Sequence, residues 1–162
     1  MNMYHTKAKY LLILFLFGIN LSLASDFKLN LVCIEGESSK DSWSSTTTIN
    51  IERNNITYSK EYTGHSKNKN ENKTGVLNED QIQKIVELIV NDKLNITDSI
   101  TDYTEKIKSN YSQYTIITLT IFMQGAPNII NIEGDNKSLK DHPAYKSAME
   151  LLDFLKDFLD NI

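Results

Sequence analysis

Apolar and polar residues alternate at first from Phe27 through Leu29 to Leu31, and the run then ends on consecutive apolar residues, Leu31-Val32-Cys33-Ile34. That is the pattern of a strand that gains cover on its second face, and it predicts a first strand over 27–34. After the polar stretch 37–45, two further strands are expected. One spans 46–52 with Ile49 and Ile51 on one face; the other spans 56–62 with Ile56, Tyr58 and Tyr62 on one face. Arg53-Asn54-Asn55 between them reads as a hairpin turn, because asparagine tolerates left-handed backbone.

Residues 65–75 have no apolar anchor and are expected as a polar, lysine-bearing loop. Asn78 followed three residues later by Gln81 resembles a capping box. Ile82, Ile85, Val86 and Ile89 then stack on one helical face, which predicts a helix over about 79–91. The signal weakens at 95–110, where Ile96, Ile100, Tyr103 and Ile107 suggest a short, imperfect helix. Residues 113–123 form the clearest strand, with Ile117, Leu119, Ile121 and Met123 on one face and Thr118 and Thr120 on the other. A turn at 125–128 returns the chain as a partner strand at 129–133.

A final helix is expected over about 143–161, capped by Asp141 or His142, with Pro143 in the first turn where its missing N–H costs nothing. Tyr145, Ala148, Leu152, Leu155, Leu159 and Ile162 form its apolar stripe, widened by Leu151, Phe154 and Phe158. Burying four large aliphatic side chains there is worth roughly 6–12 kcal/mol before chain entropy is subtracted. The order βββαββα gives an α+β fold class: an antiparallel sheet of about five strands with two main helices packed on one face. A single domain over residues 25–162 is expected, since a chain of that size buries enough surface to hold itself together.

The first 24 residues read differently. Lys7 and Lys9 precede an apolar run from Tyr10 to Phe17, and Ser22-Leu23-Ala24 offers small residues where a signal peptidase cuts. The run is broken by Gly18 and Asn20 and falls short of the roughly 20 residues that span a bilayer. The expectation is a cleaved signal peptide, no stable membrane insertion afterwards, and a periplasmic or extracellular mature protein. Of 162 residues, 17 are basic and 21 acidic; removing the leader takes two lysines and leaves a net charge of −6. With one arginine, Arg53, the mature chain is a poor nucleic-acid binder. Cys33 is the single cysteine, so no intrachain disulfide can form, and its place in the alternation predicts burial.

No chemistry is announced. The mature chain keeps two histidines, His65 and His142, on unrelated elements, and its glycines at 36, 64, 75, 125 and 134 are isolated. Neither a zinc site, a phosphate cradle nor a nucleophile with its base follows from such spacing, so no cofactor, metal site or catalytic residue is assigned. Asp98, Asp102 and Glu105 lack the alternation and central glycine of a calcium loop. Five Asn-x-Ser/Thr sequons, at Asn55, Asn72, Asn95, Asn110 and Asn136, fit the Asn-rich composition as well as a role.

Recognition is left. Trp43 stands among serines, and Tyr58 and Tyr62 flank Lys60 along one face of a hairpin. Aromatic anchors amid small polar residues are what protein-binding surfaces use, although the same side chains can simply cover the sheet or close the end of a core. The sequence thus leads to an exported, non-enzymatic binding protein, for instance an inhibitor or immunity-type protein acting on a protein partner in the bacterial envelope. A secreted carbohydrate-binding module, or a small hydrolase with paired carboxylates, is the alternative.

Overall fold

A computed structural model describes residues 27–37, 42–64, 68–96, 98–101, 113–123 and 126–161. The expected signal peptide lies outside them. The chain runs β1 (Lys28–Glu37), β2 (Trp43–Glu52), β3 (Asn55–Gly64), β4 (Glu71–Val76), α1 (Glu79–Asn91), a 3-10 turn (Leu94–Ile96), β5 (Ile100–Thr101), β6 (Tyr114–Met123), β7 (Ala126–Asp135), a single helical turn α2 (Asn136–Leu139) and α3 (Pro143–Asp160). The fold is α+β. Its sheet has the order β4-β3-β2-β1-β6-β7-β5, antiparallel throughout except for the short parallel pair β5–β7.

Two strands exceed the five expected, for different reasons. All of β4 but Val76 lies in the segment expected as loop; the strand is held by backbone pairing to β3, from Asn55↔Val76 to Lys60↔Glu71. An edge strand needs only a backbone partner on one side, so it leaves little hydrophobic periodicity to read. β5 stands where a short helix was expected, and two residues paired to Ile132 and Glu133 are too few to set a period. The rest of that segment, 102–110, lies outside the described residues. The hairpin turn also differs in detail: Arg53, not an asparagine, takes the left-handed backbone, at φ 58°.

The helices follow the sequence closely. At the start of α1 the Asn78 side chain accepts from the Gln81 backbone N–H at 2.9 Å while the Gln81 side chain accepts from the Asn78 N–H at 2.8 Å, so the capping box is complete. His142 caps α3, its Nδ1 accepting from the Ala144 N–H at 3.3 Å. Ile82, Ile85 and Ile89 of α1 and Ala148, Leu151, Leu152, Leu155 and Leu159 of α3 are buried in one cluster with the sheet. Lys84 lies over the Phe154 ring, 5.1 Å from its centre, joining the two helices at their outer margin.

Strand register sets which sheet residues meet that cluster. One row across the sheet reads Gly75–Ile56–Ile51–Leu29–Ile121–Asn128, and the next Lys73–Tyr58–Ile49–Leu31–Leu119–Ile130. Ile49, Ile51, Ile56, Leu31 and Leu119 are fully or almost fully buried. Alternate residues face away from the helices and are largely threonine and asparagine. There Thr118 donates to Asn131 at 3.1 Å, and Asn30 hydrogen-bonds Asn50 across the β1–β2 pair.

Candidate functional site

Moving down the same helix-bearing face, the rows change character. The third reads Glu71–Lys60–Thr47–Cys33–Ile117–Ile132, the fourth Tyr62–Ser45–Glu35–Thr115–Gly134, and the last Gly64–Trp43–Glu37. Strand alternation therefore places all four sequence-predicted residues, Trp43, Tyr58, Lys60 and Tyr62, on the side that carries the helices. Helix α3 crosses this side obliquely. Tyr145 near its start hydrogen-bonds with Thr115 of β6, whereas Asp160 at its end pairs with Lys73 of β4. The corner formed by the lower ends of β1, β2 and β3 thus carries polar and aromatic side chains in place of the aliphatic core.

The four residues are not equivalent. Tyr58 is 8% exposed and belongs to the core cluster, so it covers the sheet as a structural side chain. Burial pushes its phenol above the ordinary tyrosine range, and Glu71 adds to the effect. Lys60 is half-buried, its ammonium 5.1 Å from the centre of the Tyr62 ring. Desolvation opposes its charge, but the hydrogen bond to the Tyr62 hydroxyl, together with the fields of Tyr62, Tyr58 and Glu35, outweighs that and holds the ammonium above its usual pKa. Tyr62 is half-buried and Trp43 likewise. The indole N–H of Trp43 donates to Glu37 Oε2 at 3.2 Å, which fixes the ring against its own strand pair. Trp43–Ser45, expected to lie before the second strand, are its first three residues, because their partners Glu35–Glu37 extend β1 by the same length.

Below these side chains lies a buried polar seam that the hydrophobic pattern does not announce. Ser45, Thr47 and Thr115 are at most 3% exposed. Thr115 donates to Asn136 Oδ1 at 2.7 Å. Tyr145, half-buried, has its phenol raised by burial, an effect that the hydrogen bond with Thr115 partly offsets. Glu35 sits in the same row, and the sequence does carry a signal for it: it shares the parity of Leu29, Leu31 and Cys33 and so has to face the helices. Cys33 is buried as expected, and its thiol is pushed up to about 12, first by burial and then by the Glu35 charge, so it is held as the neutral thiol.

Gly64 closes the corner. Its φ of +85° is a left-handed conformation, and a Cβ there would stand 2.2 Å from the Ser42 carbonyl oxygen. The chain can pass this close to Ser42 only with glycine at 64. Among the described residues, no three His, Cys, Asp or Glu side chains converge as metal ligands, and no helix is long and apolar enough to cross a membrane. The arrangement is suited to contact: two half-buried aromatic rings, each tied to a charged neighbour, on a floor of satisfied hydroxyls. The chain matches no protein-family model and no curated protein.

Proposed function

We propose that the protein is exported by a cleaved signal at residues 1–24 and acts as a non-enzymatic binding protein. It engages a protein partner, in the manner of an inhibitor or immunity-type protein of the bacterial envelope. The observation that carries this reading is the pair Trp43 and Tyr62, adjacent on the helix-bearing face and restrained by Glu37 and Lys60. Restrained aromatic rings bind with little further loss of side-chain entropy, which makes them effective anchors. The test is capture from envelope extract with the tagged mature protein beside its Trp43→Ala and Tyr62→Ala variants. A partner retained by the parent chain and lost by both variants is expected; no partner, or one held equally by the variants, overturns the reading. Intact mass of the exported protein should begin at Ser25, and an unprocessed chain in the culture or periplasm refutes the leader.

A second reading rests on the carboxylates beside the indole. Glu35 and Glu37 share a face of β1 next to Trp43, an arrangement that could also grip a sugar ring through stacking and hydroxyl hydrogen bonds. Trp43 fluorescence titrated with a glycan panel separates the two, because saccharide-dependent quenching is foreign to the protein-partner reading.

A further inference from the structure

We propose that the groove between the β3–β4 edge of the sheet and the C-terminal half of α3 binds a single carboxylate group. Tyr58, Lys60, Glu71 and Lys73 form its floor, and Lys156 and Asp160 stand on the helix side. Its volume is about 150 Å³. That is room for about five waters at roughly 30 Å³ each, enough for one small anionic group and well below the ~300 Å³ at which drug-sized ligand pockets begin.

Charge selects the ligand. Lys73 is already paired with Asp160. Lys60 and Lys156 are each half-buried, and among the described residues neither has a carboxylate at ion-pair distance. Glu71 faces Lys60 in the strand register, yet the Lys60 ammonium is turned to Tyr62 instead. The chain as a whole has 17 basic and 21 acidic residues, so a groove lined by three lysines and two carboxylates reverses the prevailing sign of charge. Three cations against two anions leave one positive charge in the groove, which matches a monoanion. The lysines act as point charges, and a phosphate group, at about −1.5 to −2 near pH 7, exceeds the single excess positive charge that a carboxylate matches. Tyr58 lines the same space, and a phenol is a donor that the second carboxylate oxygen can accept from. The ligand's source is either a free small carboxylate or the carboxylate of a peptide. The proposal stands independently of the protein-partner reading, since the groove can be filled without one.

The test is NMR of the lysine side-chain ammonium groups in the exported chain at low ionic strength. Acetate, a short glutamate-bearing peptide and inorganic phosphate are titrated separately. Saturable shifts at Lys60 and Lys156 with acetate are expected. Affinity should fall about fivefold in Lys156→Met and rise about threefold in Glu71→Gln, the scale of partly screened single charges. A peptide that binds more tightly than acetate identifies a macromolecular source, and equal affinities identify a free carboxylate. Shifts that do not saturate, or that are the same in Lys156→Met, overturn the proposal. Phosphate binding more tightly than acetate at pH 7 overturns the choice of carboxylate.

Discussion

The upper and lower halves of the helix-bearing sheet face are built from the same strands, yet they do different work. In the upper rows the central strands β2, β1 and β6 each turn an aliphatic side chain toward the helices, as in Ile51–Leu29–Ile121 and Ile49–Leu31–Leu119. In the lower rows these strands and β3 turn Lys60, Thr47 and Cys33, then Tyr62, Ser45, Glu35 and Thr115, to that side. The difference tracks the oblique course of α3, from Thr115 on β6 to Lys73 on β4. Where helix and sheet close on each other, burial without hydrogen-bonding groups is cheapest. At the corner the helix leaves open, Ser45, Thr47 and Thr115 are buried with their hydroxyls satisfied, while Trp43, Lys60 and Tyr62 stay half-exposed.

If the halves differ as described, substitutions should separate them. The largest cost is expected from Leu31→Ala in the upper half. The side chain is fully buried, and chemical denaturation should show a loss of about 2–5 kcal/mol from lost transfer energy and the cavity left behind. A loss below about 1 kcal/mol would mean that the core is looser than these rows imply.

The seam between the halves should respond to pH through Cys33. Its thiol pKa in the fold, about 12, lies above that of an unfolded cysteine, near 8.5. The fold therefore holds the proton more tightly, and this stabilisation is complete below about pH 8.5 and declines as pH rises toward 12. The parent chain should lose more stability than Cys33→Ala over that window. The same thiol should resist alkylation at pH 8 until the chain is denatured, and rapid labelling of the native protein would contradict its burial.

In the lower half, backbone rather than side chain is expected to carry the stability. Gly64→Ala forces a left-handed alanine onto the Ser42 carbonyl and should cost about 1–3 kcal/mol. The smallest effects belong to the proposed contact residues. Tyr62→Ala and Glu35→Gln should change stability by less than about 1 kcal/mol, because the first is half-exposed and the second keeps its shape. Circular dichroism melts check both. Losses as large as that of Leu31→Ala would make the corner part of the core and remove the reason to regard it as a surface for contact.

Much of this architecture is legible in the amino-acid sequence. The capping box at Asn78 and Gln81, the stripe on α3 and the alternation in β6 each appear where local spacing puts them, because each is strongly periodic and ends on its own chemical signal. β4 is not legible, since Glu71–Val76 owes its strand to β3 and not to any pattern of its own. Of the candidate site, the shared face of Tyr58, Lys60 and Tyr62 follows from a period of two. That Tyr58 is core while Tyr62 is half open does not, because both have the same parity, and what separates them is how far along β3 the helix still lies overhead.

By itself the sequence determined the α+β class, the two main helices, the capping box of α1 and the burial of Cys33, all properties that depend on residues close together in the chain. The number of strands, the order β4-β3-β2-β1-β6-β7-β5 and the meeting of Lys60 with Lys156 were decided only in the tertiary structure. Backbone pairing at an edge and the angle at which a helix crosses a sheet are settled by partners distant in sequence, and nothing local records them.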